Sequence, residues 1–83
     1  MPRTMDKWIT RVLAEIGEEV QRANAKHAPM NSAHEAYAVL LEEVDEFKAE
    51  VWKNRSKRDL NHVLIELVQI GAMAQRIAED CLK

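Results

Sequence analysis

The sequence is poor in residues that cross-link small domains and in residues that break helices. Among its 83 residues are one cysteine, two glycines and two prolines. The single Cys81 excludes an intramolecular disulfide and favours a reducing compartment. Because glycine and proline are scarce while Ala, Leu, Glu and Lys are frequent, helix is favoured. A chain of this length buries only roughly 60–65% of its unfolded surface, so we expect one domain, residues 1–83, that self-associates.

Long apolar runs and an excess of basic charge are also missing. No apolar segment approaches the ~18–20 residues that a membrane span needs. Arg3, Asp6 and Lys7 interrupt the segment where a signal region would be apolar. The formal net charge of −2 argues against a general nucleic-acid binder. We therefore expect a cytoplasmic protein that binds neither a membrane nor a nucleic acid.

Apolar residues spaced by three and four predict an all-α chain of three helices, with no convincing strand. We expect helix one over residues 4–24, helix two from a cap at Ser32 to residue 53, and helix three from a cap at Ser56 to residue 81. Pro29 lies in the linker between the first two helices, where it forbids helix continuation. The predicted core positions of helices two and three are Ala33, Ala36, Tyr37, Leu40, Val44, Phe47, Val51, Leu60, Val63, Leu64, Leu67, Ile70, Gly71, Ala74, Ile77, Ala78 and Cys81.

The short polar turn between helices two and three predicts an antiparallel hairpin. Residues equally distant from Ser56 should then lie level with one another. The level pairs that carry polar groups are Glu46 with Glu66, Glu43 with Gln69, and Glu50 with His62. The i,i+3 pair Glu43 and Glu46 on helix two should therefore lie level with the i,i+3 pair Glu66 and Gln69 on helix three. Both pairs lie roughly 15 Å from the turn at 1.5 Å per residue.

Three carboxylates and an amide at a half-buried helix seam form a set of hard oxygen ligands. Such a set suits Mg²⁺, with Mn²⁺ as an alternative. Without a metal, the carboxylates would raise one another's pKa values or move apart. The competing interpretation is a solvated acidic face whose members pair locally with Lys48 or Lys53. Glu66 argues against it, because an isolated acid between Ile65 and Leu67 is harder to explain.

Two segments resemble the MazG-like all-α nucleoside triphosphate pyrophosphohydrolases, whose pattern is EExxE, a spacer and then ExxD. They are Glu42-Glu43-Val44-Asp45-Glu46 and, after nineteen residues, Glu66-Leu67-Val68-Gln69. The surrounding residues are similar to the short phage- or mobile-element-type members of that family. The resemblance covers helices two and three well and helix one weakly. It implies a helical-bundle homodimer or homotetramer that hydrolyses a nucleoside triphosphate to the monophosphate and pyrophosphate, with Mg²⁺ as cofactor.

Carried over residue by residue, the resemblance implies that Glu43, Glu46 and Glu66 are catalytic metal ligands. Gln69 stands where the family usually has a metal-binding Asp, so it would be a neutral and weaker fourth ligand. From its position one turn beyond Glu46, Glu50 is a candidate further ligand or base for water, or else a surface charge. Arg76 and the basic residues of the second turn are candidates for phosphate contact, although solvated charge is the commoner explanation for such residues.

An alternative from another class stays open at this point. The chain could be a non-catalytic helical dimerisation or partner-binding module that keeps the fold but has a weakened metal site. Gln69 is the residue that supports this alternative, since an amide replaces a carboxylate there.

Overall fold

The computed structural model describes the backbone of residues 6–82 and the side chains of residues 10–82. It contains three α-helices, α1 (Asp6–Lys26), α2 (Ala33–Val51) and α3 (Leu60–Cys81). A short 3₁₀ segment, Arg55–Lys57, lies between α2 and α3, and α3 packs against both other helices. The described residues form no strand, so the prediction of an all-helical chain of three helices is confirmed. None of these helices is long and apolar enough to cross a membrane.

The linker between α1 and α2 is fixed at both of its ends. Helix α1 continues to Lys26, two residues beyond its predicted end, and its predicted start at residue 4 lies outside the described residues. The side chain of Ser32 accepts a hydrogen bond from the Glu35 amide at 3.1 Å, so the predicted cap of α2 is confirmed. The Met30 amide donates to the Asp80 carboxylate at 3.0 Å, which ties the linker to the last turn of α3.

Helix α3 begins three residues later than predicted, because Asp59 rather than Ser56 is its N-cap. The Asp59 side chain accepts hydrogen bonds from the amides of Asn61 at 2.9 Å and His62 at 3.2 Å. A carboxylate that accepts from two of the otherwise unpaired first amides is also favoured by the helix dipole. The Ser56 hydroxyl instead donates to Asn54 within the preceding turn.

Few apolar side chains among residues 10–82 are fully buried. They are Ala36, Val68, Ala72 and Met73. Several predicted core residues are instead exposed, among them Tyr37 (64%), Val44 (38%), Leu60 (75%) and Leu67 (43%), with Ala33, Ala74 and Ala78. Helical periodicity identifies the apolar side of a helix but not what covers it, which explains the difference. An uncovered apolar face on a chain this short is typical of an association surface.

The two glycines differ in what surrounds them, and we predict opposite effects of replacing them. A Cβ added at Gly17 would meet no atom within 4 Å, whereas at Gly71 it would lie 2.5 Å from Ile16 Cδ1. Gly17→Ala should therefore stabilise the protein by about 0.5–1 kcal/mol through helix propensity. Gly71→Ala should destabilise it by about 1 kcal/mol, because α1 and α3 must move apart or Ile16 must change rotamer. Urea denaturation of both variants checks this, and equal stabilisation would contradict the close packing at Gly71.

Candidate metal centre

Three carboxylates from two helices converge at the contact between α2 and α3. Glu43 and Glu46, three residues apart on α2, leave that helix on the same side. Glu66 reaches them from α3, where it is only 5% exposed. One carboxylate oxygen from each residue lies within 4.8 Å of one from each of the other two. These are three of the residues that the sequence predicted as metal ligands, and the fold brings them together.

The electrostatics of this cluster favour a cation. Burial raises the pKa of Glu66 above its ordinary value of 4.5, and the neighbouring Glu46 raises it further. Burial also raises the pKa of Glu43, and the charges of Glu46 and Glu66 add to that effect. Like charges this close, with reduced access to water, destabilise the ionised form of each carboxylate. A divalent cation would reverse the balance, because it stabilises the ionised forms.

One oxygen of Glu66 lacks a hydrogen-bond partner among residues 10–82. Its Oε2 is buried and makes no hydrogen bond to the described residues. Buried polar atoms without a partner are rare, and each calls for an explanation such as an ion or a water. The nearby atoms that could bind a metal are carboxylate oxygens of Glu43 and Glu46, the hard ligands that Mg²⁺ and Mn²⁺ prefer. The residues present therefore fit a hard divalent cation.

The other oxygen of Glu66 belongs to a chain of polar contacts. His62 Nε2 lies 3.0 Å from Glu66 Oε1, and His62 Nδ1 lies 3.1 Å from Glu50 Oε2. One imidazole ring thus connects the two buried carboxylates. The sequence predicted that Glu50 and His62 lie level but gave His62 no function. Its position four residues before Glu66 on the same helix was the signal available.

Glu50 lies outside the group of converging oxygens, and its own oxygens are already engaged. Glu50 Oε2 accepts from Lys53 Nζ at 2.8 Å, and Oε1 accepts from the Asp59 amide at 2.8 Å. These two hydrogen bonds, assisted by the charges of Lys53 and His62, lower the pKa of Glu50 to about 2. So strong an acid is a weak base, and its contacts favour a role in holding the turn between α2 and α3. Its predicted role as ligand or base for water stays a prediction.

Gln69 lies beside the cluster, at the wall of a cavity of about 350 Å³ between the three helices. Glu43 lines the same cavity, so the predicted level pair Glu43 and Gln69 shares one space. Val39 and Met73 also line it, together with Ala72 and Met30. The volume lies at the lower end of the range for small-molecule sites. The cavity and the carboxylate cluster thus meet at Glu43.

Arg76 lies in the wall of this cavity and is only 6% exposed. Its Nε donates to the Asn24 side-chain oxygen at 2.9 Å, and no carboxylate of the described residues forms an ion pair with it. The sequence placed Arg76 among residues for phosphate contact or solvated charge, and did not predict its burial. The signal was its spacing, since residue 76 continues the helical series of Glu66, Gln69 and Met73.

Two basic residues of the turn between α2 and α3 make contacts that connect these helices. Lys53 pairs with Glu50, and Arg58 donates to the Val51 carbonyl at 2.7 Å. Both residues therefore help to connect the end of α2 with the start of α3. Their predicted phosphate contacts stay a prediction.

Comparison of the chain with protein-family models, with curated proteins and with solved structures finds no match. The functional argument therefore depends on the residues of this chain, on the carboxylate cluster and on the adjoining cavity.

Proposed function

We propose that this chain is a Mg²⁺-dependent nucleoside triphosphate pyrophosphohydrolase of the MazG-like type. It would convert a ribo- or deoxyribonucleoside triphosphate to the monophosphate and pyrophosphate. The observation that carries the proposal is the convergence of Glu43, Glu46 and Glu66, with a buried Glu66 oxygen that has no hydrogen-bond partner in the described part of the chain. The EExxE and ExxQ motifs, which resemble that family's pattern, are the sequence support.

In this reaction a water oxygen attacks the α-phosphorus, and the bond from that phosphorus to the bridging oxygen of pyrophosphate breaks. Mg²⁺, when bound, neutralises phosphate charge and lowers the pKa of coordinated water. Glu43, Glu46 and Glu66 would hold the cation, and Gln69 would add a neutral amide oxygen. His62 keeps Glu66 Oε1 engaged, which leaves Oε2 available as a ligand atom.

The same proposal includes an antiparallel α2–α3 hairpin within a homo-oligomer, either a dimer or a tetramer. The contacts of Glu46 with Glu66 and of Glu50 with His62 support the hairpin, since they pair residues equally far from the turn. The exposed side chains of Tyr37, Leu41 and Val44 on α2, and of Leu60 and Leu67 on α3, support the oligomer. Each set recurs at helical spacing and leaves an apolar face for a second copy to cover.

A second candidate is a helical dimerisation module with a weakened metal site. Gln69 favours it, because the fourth side chain at the predicted site is a neutral amide. The two candidates differ in two measurable properties, Mg²⁺ binding and nucleotide turnover. An enzyme binds Mg²⁺ through Glu43 and turns over a nucleotide, whereas the module forms a stable oligomer and does neither.

The test is pyrophosphate release from ribo- and deoxyribonucleoside triphosphates with Mg²⁺, beside calorimetric titration with Mg²⁺ or Mn²⁺. We expect wild-type turnover, and a loss of at least ~100-fold in Glu46→Gln. A direct ligand should matter more than a residue that only hydrogen-bonds to a ligand, whose loss costs about 10–100-fold. Asp45→Asn is the matched control, since Asp45 is exposed on the same helix and lies outside the cluster. It should retain wild-type activity.

Gln69→Asp separates the two candidates further. In an enzyme, this change should strengthen Mg²⁺ binding without creating a new activity, because it adds a fourth charged ligand. Activity that appears only in Gln69→Asp would identify the wild-type chain as a module with a decayed site. The absence of turnover with every nucleotide, in a folded wild-type oligomer, would overturn the proposed function.

A further inference from the structure

A buried cation, Arg76, lines the cavity beside the carboxylate cluster, and no carboxylate among residues 10–82 forms an ion pair with it. Arg76 is 6% exposed, and its guanidinium makes a single hydrogen bond to the described residues, through Nε to Asn24. Buried charged side chains are ordinarily paired or fully hydrogen-bonded. Because the Nε proton is committed to Asn24, the terminal nitrogens of Arg76 retain donors for a ligand that enters the cavity.

The rest of the cavity indicates which chemistry such a ligand has. Val39, Ala72 and the thioethers of Met30 and Met73 give it apolar walls, and methionine sulfur makes favourable contacts with aromatic rings. Glu19 and Glu35 also line it, so the cavity as a whole disfavours an anion such as a phosphate group. A neutral, flat, aromatic group with hydrogen-bond acceptors suits both the walls and Arg76.

The extent of the cavity along α3 also matches the length of a nucleoside. Gln69 and Arg76 both line it, and their spacing along α3 corresponds to about 10 Å at 1.5 Å per residue. A nucleotide whose phosphates lie at the cluster near Glu43 and Gln69 would therefore reach Arg76 with its base.

We propose that this cavity is the nucleobase subsite, and that Arg76 selects bases that carry a carbonyl oxygen. Thymine, uracil, cytosine and guanine have such an oxygen, and adenine has none. Asn24 is the positioning residue that holds the guanidinium against the cavity wall. The inference rests on the proposed function for the placement of the phosphates, but base recognition is measurable without turnover.

The experiment is calorimetric titration of the wild-type protein with dTMP, dGMP and dAMP in the presence of Mg²⁺. We expect dTMP and dGMP to bind at least about 10-fold more tightly than dAMP, since a hydrogen bond from a charged donor is stronger than one between neutral groups. Arg76→Met keeps an unbranched apolar stem of similar length to the methylene part of arginine and removes the guanidinium with all its donors. It should weaken dTMP binding by about 10–100-fold and leave dAMP binding nearly unchanged.

Two further variants separate recognition from a structural role. Arg76→Lys, which retains a donor, should recover part of the dTMP affinity, and Asn24→Ala should weaken dTMP binding less than Arg76→Met does. Equal loss for all three nucleotides in Arg76→Met, or equal wild-type affinities for dTMP and dAMP, would overturn the inference.

The outcomes also distinguish this inference from the proposed function. Base-selective binding through Arg76 without pyrophosphate release from any triphosphate would support the base subsite and contradict the proposed enzymatic activity. Turnover of every triphosphate at equal kcat/KM, unaffected by Arg76→Met, would retain the enzyme and overturn the subsite. Failure of all three monophosphates to bind would also overturn it.

Discussion

Glu66→Gln will raise the thermal stability of the metal-free protein and remove its stabilisation by Mg²⁺. Glu66 is buried beside Glu46, and its Oε2 has no hydrogen-bond partner in the described structure. Glutamine keeps the shape, removes the buried charge and can donate from its amide to a neighbouring carboxylate. We expect Tm in EDTA to rise by roughly 3–8 °C for a domain of this size.

The raised pKa of Glu66 determines whether the stability of the folded protein rises or falls with pH. Burial, reinforced by Glu46, raises the pKa of folded Glu66 above its ordinary value of 4.5, so the folded state binds more protons between these two pKa values. Stability therefore falls as pH rises from 4.5 through the folded pKa. Glu43 contributes in the same direction, because burial also raises its pKa. Below pH 4.5 the Glu66 contribution vanishes, so Glu66→Gln and the wild type should converge there.

Added Mg²⁺ should produce the opposite ranking. At about 100 times its Kd, a cation stabilises the native state by about 2.7 kcal/mol. The wild type should gain this stabilisation, while Glu66→Gln, which lacks one charged ligand, should gain almost none. Scanning calorimetry with EDTA and with Mg²⁺ measures both effects, and Asp45→Asn serves as the control that changes neither. A Glu66→Gln protein that is less stable than the wild type in EDTA would contradict the electrostatic cost of the cluster.

The sequence was sufficient to place the carboxylates but not to explain what holds them. The pairing of Glu46 with Glu66 followed from a turn centred near residue 56, and it holds although Ser56 is not the helix cap. The register of helix two against helix three depends on the length of the connection between them, which the short polar segment indicated. The contacts of Glu50 depend on the Asp59 amide and on the 3₁₀ turn before it. That local geometry was not readable from residue spacing.

The exposure of Leu60 could not be predicted from periodicity, and the spacing of Arg76 from Glu66 indicated its side of α3 but not that this side is covered. Both residues lie on helix α3 at spacings that a helical wheel assigns to definite sides. Whether a side is covered depends on the neighbouring helix, or on a second copy of the chain, and neither is encoded in one helix alone. The sequence placed Leu60 in the core, where it is 75% exposed, and left Arg76 as a phosphate contact or a solvated charge, whereas it is buried.

Glu50→Gln is the second variant for which we expect a large effect. It should lower both the thermal stability of the protein and its affinity for Mg²⁺. The Glu50 carboxylate accepts from Lys53, from the Asp59 amide and from His62. An amide has only one acceptor oxygen, and its NH₂ group would face at least one of these donors. We expect a fall in Tm of roughly 5–10 °C at neutral pH, because the junction between α2 and α3 loses its common acceptor.

Acid titration tests the cause of that loss. Hydrogen bonds from Lys53 and the Asp59 amide lower the pKa of folded Glu50 to about 2, against 4.5 ordinarily. A lowered folded pKa gives stability that is fully present above pH 4.5 and is lost as pH falls towards 2. The wild type should lose stability across this window, while Glu50→Gln should lack that component. Carboxyl-carbon NMR of Glu50 measures the pKa directly, and a titration near 4.5 would contradict the contacts described.

The same variant should weaken Mg²⁺ binding by about 10-fold, although Glu50 lies outside the converging oxygens. Its carboxylate orients His62, and His62 in turn holds Glu66 Oε1. His62→Ala breaks this chain of contacts while leaving the hydrogen bonds of Glu50 to Lys53 and the Asp59 amide. It should therefore reproduce the loss of Mg²⁺ affinity with a smaller fall in Tm. If calorimetric titration shows unchanged affinity in both variants, Glu50 stabilises the turn alone, and the orientation of Glu66 is determined by packing within α3.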